Sequence, residues 1–168
     1  SLQGTPDPRR SIQELLSELP AQLALGDSPA IQLDDRVREP LFLSLEHRSQ
    51  ALLIVQEALL NAHRHAGANH IDVVLERVDH EARISVVDDG VGFDPDTWWE
   101  DSQDHFGLGI IHARAARIGA RLQLDASPGQ GTCVSLILPL QSNQWDTQRG
   151  TIRQVTGPQK LIEAGIAK

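Results

Sequence analysis

Ile54-Val55-Gln56-Glu57-Ala58-Leu59-Leu60-Asn61-Ala62-His63-Arg64-His65-Ala66 is the stretch from which the rest of the chain can be read. Leu52, Val55, Leu59 and Ala62 recur at three- and four-residue spacing, the period of one face of an α-helix. Glu57, Asn61, Arg64 and His65 recur at the same spacing, and residues so spaced are neighbours on a helix surface. The segment therefore predicts a helix with one packing face and one polar stripe. A carboxylate, a carboxamide and two nitrogen bases in that register suit a divalent cation and a phosphate, because hard cations take oxygen ligands and phosphates take Arg or His donors. A plain solvated helix face has the same pattern, so the stripe alone does not distinguish a site from a surface.

Downstream, the chain stops the helix at Gly67, where a left-handed cap is expected, and His70 to Val78 alternates as a strand. Asp79-His80-Glu81 makes a hairpin connection to a second strand, in which Ala82, Ile84, Val86 and Asp88 share the inward face. Asp88 thus ends an apolar row. A carboxylate at the edge of a core is costly without hydrogen-bond donors, so a donor from protein or ligand is expected there. Asp89-Gly90-Val91-Gly92-Phe93 and a long polar loop to His105 follow, and loops of that length are often lids. Trp98 and Trp99, odd in a polar loop, either make a partner contact or pack this lid on its own domain, the packing role being the one expected. Phe106-Gly107-Leu108-Gly109 opens a helix ending at Gly119; a glycine pair there lets backbone amides approach an anion, but the pattern is neither a Walker loop nor a dinucleotide fingerprint. Leu122 to Ala126 and Thr132 to Leu138 read as two more strands, joined by Ser127-Pro128-Gly129-Gln130-Gly131, with Thr132 a second polar residue on an apolar face.

Upstream, Asp7-Pro8 and the capping box Ser11-Ile12-Gln13-Glu14 mark a helix start. Ile12, Leu15, Leu16, Leu19 and Leu23 form its apolar stripe, and Pro20 is expected to kink or end it. This segment either lies on the domain that follows or is the tail of a helix leading in from another one. Gly26 to Pro29 is a loop, Ala30 to Asp34 a short strand, and Val37 to Leu43 undecided because Pro40 argues against a central strand. The long helix is expected from about Glu46 to Ala66. From Gln141 the chain turns polar, with at best a short helix near its end. The order of elements predicts an α+β fold, a two-layer sandwich of one mixed sheet with helices over a single face.

Composition narrows the function. With 168 residues the chain fits a single domain able to bury a real core. A net charge of −8, Lys only at 160 and 168, and 13 scattered Arg exclude a basic nucleic-acid surface. The single cysteine, Cys133, rules out an internal disulfide and a multi-cysteine metal site, and it is expected to be a small core residue. No run of 18 apolar residues and no signal-like start are present, so no membrane contact by this chain is expected. The lack of any Met suggests a piece of a longer protein.

Four polar sites now stand in order: Glu57 to Asn61 on a helix, Asp88-Asp89-Gly90-Val91-Gly92 after a strand, Gly107-Leu108-Gly109 before a helix, and Gly129-Gln130-Gly131-Thr132 before the last strand. Together, over about residues 30 to 140, they resemble the ATP-binding domain of the GHKL superfamily, whose Bergerat-type fold is shared by sensor histidine kinases, type II topoisomerases, MutL and heat-shock chaperones. Within it the chain most resembles bacterial two-component sensor histidine kinases of the nitrate-sensor and DesK-like group. Gln56-Glu57-Ala58-Leu59-Leu60-Asn61-Ala62 with Arg64-His65-Ala66 is similar to that group's N box, with Arg64 in place of the usual Lys.

The resemblance implies ATP and Mg²⁺ as ligands. Asn61 would ligate Mg²⁺ bridging the phosphates, and Glu57 would act as base or orient a water near the γ-phosphate. Arg64 and His65 would contact phosphate oxygens. Asp88 would accept the adenine amino hydrogen, helped by Thr132 through a water, and Gly90 and Gly92 would let the backbone approach the purine. Gly107, Leu108 and Gly109 would hinge the lid and offer amides to the phosphates. The implied acceptor is a histidine on a helical dimerisation domain; no His of this chain sits in an acidic helical box, so that domain is expected elsewhere, with a response regulator downstream. Residues 1–29 would then be the end of that missing domain, 30–140 the catalytic domain, and 141–168 a tail of open role. A cytoplasmic monomer is expected, in a parent that an inner-membrane anchor would suit.

Two alternatives stay in view. A GHKL conformational-switch ATPase would need a following domain that supplies a Lys to the γ-phosphate, and 28 residues after Leu140 are too few for it. A non-catalytic nucleotide-binding module is disfavoured by the presence of both Glu57 and Asn61.

Overall fold

The computed structural model describes residues 7, 9–65, 67–96 and 106–140. Along the chain run α1 (Ile12–Gln22), β1 (Ala30–Asp35), α2 (Leu45–His65), β2 (His70–Val78), β3 (Glu81–Asp88), α3 (Phe106–Arg117), β4 (Arg121–Ala126) and β5 (Thr132–Pro139). The strands form one five-stranded sheet in the order β1-β2-β3-β5-β4. Only β1 and β2 are parallel, as they must be when a helix such as α2 carries the chain between them. The remaining pairs are antiparallel, β2 and β3 being joined through Asp79 and His80, with Asp79 at a φ of 54°.

Strand alternation decides which face is packed. Ile71, Val73 and Leu75 of β2 stand opposite Asp88, Val86 and Ile84 of β3, which stand in turn opposite Thr132, Val134 and Leu136 of β5. This face joins Ala51, Ile54, Val55, Ala58, Leu59 and Ala62 of α2 and Ile111 and Ala115 of α3 in one apolar core. Each fully buried Leu or Ile, such as Leu59 or Ile84, contributes about 1.5–3 kcal/mol. The other face carries the buried pair Ser85 and Ser135, whose hydroxyls meet at 2.8 Å. Cys133 lies on that same face between Val87 and Asp125 and is half-buried, so it is not the core residue expected from its type; alternation from Thr132 puts it outward.

α1 shares the core through Ile12, Leu16 and Leu19. Its capping box is formed: the Ser11 hydroxyl accepts from the Glu14 amide at 3.2 Å and the Glu14 carboxylate accepts from the Ser11 amide at 3.0 Å. The helix therefore starts after Ser11 and not at Asp7-Pro8, and Pro8 lies outside the described residues. Pro20 does not end α1, which runs on to Gln22. A proline so near the C-terminus removes one hydrogen bond from the last turn, and the buried stripe on the preceding turns outweighs that loss.

Val37 to Leu43 is no strand but a connection clamped to α1. Leu41 accepts from the Ile12 amide at 2.8 Å and donates to the Gln13 side chain at 2.9 Å, while Gln13 also donates to the Glu39 carbonyl at 2.7 Å. α2 opens on Ser44, whose hydroxyl accepts from the His47 amide at 3.2 Å, and Gly67 beyond its end has the left-handed φ of 58° expected of it. Among the described residues no helix is long and apolar enough to cross a membrane. Residues 97–105 of the polar loop, with Trp98, Trp99 and His105, and the segment from 141 to 168 lie outside the described residues.

Candidate functional site

Asp88 closes the inward row of β3 at only 7% exposure, directly opposite Thr132. The expected donor is the backbone amide of Gly90, 2.9 Å from its carboxylate. Burial pushes the Asp88 pKa above its ordinary value, against the lowering pull of the Gly90 and Thr132 amides. No described side chain donates to this carboxylate, so it keeps acceptor capacity toward a ligand.

The loop after Asp88 is locked to the β4–β5 turn by backbone contact. Val91 accepts from the Gly129 amide at 2.6 Å. Gly92 has a φ of 59°, and a Cβ there would overlap the carbonyl oxygens of Ser127 and Gly131. Gly131, with a φ of 75°, sits so close that a Cβ would overlap the Asp88 carbonyl. Both glycines are thus required by packing between chain segments. A cavity of about 380 Å³ opens where these strands end, with Asp88, Thr132, Gly131, Leu124, Ala126 and Pro95 among its walls. No α2 residue lines it.

On α2, Glu57 and Asn61 are half-buried and Arg64 is exposed. None of the three has a side-chain partner among the described residues. Polar groups held at half-buried positions without protein partners are free to meet a ligand. His63 behaves differently, because its Nε2 lies 3.0 Å from the Leu25 carbonyl and ties α2 to the loop after α1. His65 ends the helix, its side chain outside what is described. Gly107, Leu108 and Gly109 occupy the first turn of α3, Gly109 being exposed with open space around it. Arg114 of α3 donates to Gln50 of α2 at 3.2 Å, so the two helices are pinned side by side. The fold therefore brings Asp88, Gly90, Gly92 and Thr132 into one cluster at the strand ends. It aligns Glu57, Asn61 and Arg64 separately, on one stripe of the helix that packs on β3 and α3.

No group of three or more His, Cys, Asp or Glu among the described residues could hold a metal ion. A lone carboxamide such as that of Asn61 suits Mg²⁺, which keeps most of its waters and takes one or two protein oxygens together with phosphates. Asn61 would supply such an oxygen, with Glu57 one turn away on α2. Among the residues of this region, Gly131, Leu124, Ala126 and Asp89 were not predicted as site residues. Gly131 is legible in Gly-Gln-Gly-Thr, whereas the others need the strand register.

A family model described as histidine kinase-, DNA gyrase B- and HSP90-like ATPase matches residues 46–142. The chain belongs to that ATPase family. An uncharacterized sensor-like histidine kinase of Chloroflexus aurantiacus is 39% identical over 92 residues, covering 53% of this chain and 15% of that protein. The nitrate/nitrite sensor protein NarQ of Escherichia coli is 29% identical over 151 residues, 80% of this chain and 26% of that one. The ATPase domain thus spans about a quarter or less of the curated relatives it matches. In fold it is similar to the histidine kinase domain of the Erythrobacter litoralis EL346 blue-light activated histidine kinase, with a TM-score of 0.66 at 22% identity over 83% of this chain and 66% of that one. The α+β sandwich read from the sequence is the architecture of this ATPase domain.

Proposed function

We propose that this chain is the catalytic ATP-binding domain of a sensor histidine kinase, which binds ATP with Mg²⁺ and passes the γ-phosphoryl group to a histidine on a separate helical domain, for relay to a response regulator. The observation that carries this reading is the split arrangement of the site. A buried carboxylate with spare acceptor capacity stands at one end, and an unpartnered carboxamide and carboxylate stand on α2 at the other.

In this reading Asp88 accepts a hydrogen bond from the adenine amino group, with Thr132 beside it. Asn61 presents its oxygen to the metal that comes with the phosphates, and Arg64 and His65 offset phosphate charge. The amides of Gly107, Leu108 and Gly109 at the start of α3 face the same anion, where the helix dipole favours it. Glu57 takes up the proton of the attacking imidazole or orients it, while the bond between the γ-phosphorus and the ADP oxygen breaks and a phosphorus–nitrogen bond forms. Positioning and charge neutralisation do most of this work, so the acceptor histidine can reside on another domain. The cytoplasm, where ATP is available, is the matching location.

The test supplies the domain with γ-labelled ATP and a separately prepared dimeric helical domain bearing a histidine. Acid-labile label on the helical domain supports the kinase. Hydrolysis of ATP with no label transferred supports a conformational-switch ATPase, and binding without either reaction supports a nucleotide-binding module.

A further inference from the structure

The site has two ends on different elements, α2 and β3, and only four residues of chain, 66–69, separate α2 from β2, the strand that pairs with β3. α2 ends at His65, β2 begins at His70, and the first residue of β2 lies beside the loop that follows Asp88. Asp89 spans that gap. One oxygen of its carboxylate accepts from two successive amides, Asn69 at 2.8 Å and His70 at 3.0 Å, and the other lies 3.3 Å from Nδ1 of His70. Its own amide donates to the His70 carbonyl at 3.3 Å, and the Asn69 carbonyl accepts from Ala30 of β1 at 3.2 Å. The junction leaving α2 is thus hydrogen-bonded on both sides, and Asp89 is the described side chain that joins it to the loop after Asp88. These donors hold the Asp89 carboxyl below the usual range, the His70 amide contributing most.

We propose that Asp89 is a positioning residue that fixes the distance between the two ends of the nucleotide site, purine at Asp88 and phosphates on α2. The inference rests on the nucleotide-site reading above. A ligand that touches both ends gains from their fixed separation, as two linked contacts gain from a linker of matching span, whereas a ligand that touches only one end gains nothing from it. An ordinary strand-start cap would not discriminate between the two ligands. One acceptor oxygen can serve both amides, so an Asn at this position retains the staple and an Ala abolishes it.

The experiment titrates Mg-ATP by calorimetry and adenosine by NMR into wild type, Asp89→Ala and Asp89→Asn, with thermal unfolding recorded for each. We expect Asp89→Ala to weaken Mg-ATP about tenfold while adenosine stays within about twofold, and Asp89→Asn to stay within about threefold for both. Equal losses for the two ligands in Asp89→Ala, no loss for either, or an Asp89→Asn as weak as Asp89→Ala would each overturn the positioning role. If Asp89→Ala lacks a folding transition, Asp89→Ser is read in its place by the same criteria. Wild type that binds Mg-ATP but not adenosine would instead overturn the assignment of the purine end, which separates that failure from this one.

Discussion

Asp88 of β3 and Thr132 of β5 form a cross-strand pair, and Gly131, the residue before Thr132, lies against the Asp88 carbonyl at a distance no side chain could share. Substituting Gly131 by Ala should therefore destabilise the domain by about 3 kcal/mol, through backbone displacement as well as the left-handed φ. Gly129→Ala is the control, because its φ of 77° is similar but the space around it is open. It should cost about 1 kcal/mol. Urea denaturation of both variants checks the difference.

Asp88 sets function against stability. Burial raises its pKa above the ordinary 3.8, so its charge costs more in the folded chain than in the unfolded one. A raised carboxylate pKa means that stability falls as pH rises from the unfolded value through the folded one. Asp88→Asn, which is neutral throughout and can still accept from Gly90, should be more stable than wild type at pH 7. The advantage should vanish in acid, below both pKa values. Thermal melts of the unliganded proteins from pH 3 to pH 8 measure this.

Metal should bind only with nucleotide. The described residues contain no cluster of three metal-ligating side chains, and Asn61 with Glu57 is too small a donor set to hold a hydrated Mg²⁺ alone. Calorimetry with MgCl₂ should show no saturable site until ATP is present. Asn61→Ala should lower the affinity for Mg-ATP by about tenfold or more, to near that of metal-free ATP in wild type. An unchanged magnesium dependence in Asn61→Ala would remove it from the metal.

The purified domain should not label itself with γ-labelled ATP. Of its seven histidines, His47 meets the Ser44 hydroxyl at 2.7 Å, His63 meets the Leu25 carbonyl and His70 meets Asp89. None of these is a free imidazole on an acidic helix. Acid-labile label on this chain, mapped by mass spectrometry to any histidine, would reveal an acceptor within the domain.

The periodicities of α2, β2, β3 and β5 carried most of the fold into the sequence, because each presents an apolar row to the same core. Asp88 and Thr132 were legible as polar residues that break an apolar row. The order of the strands was not, since β5 enters between β3 and β4 and no local pattern records that insertion. Gly92 was expected to admit a purine, whereas the packing gives it a different necessity, contact with Ser127 and Gly131. Asp89 was read as part of the polar motif after β3 but given no role of its own, because its partners Asn69 and His70 are some 20 residues away in the chain and meet it only through the β2–β3 register. Cys133 was misjudged because residue type suggested burial in the core while strand alternation put it outside.

The most direct test of the account is isothermal titration of Mg-ATP into wild type and Asp88→Asn at pH 7.5. Wild type should bind one equivalent, and Asp88→Asn should lose about 100-fold or more in affinity, because a buried charged acceptor is replaced by an amide donor facing the adenine amino group. Equal affinities in the two folded proteins would contradict the assignment of Asp88 as the residue that reads the base.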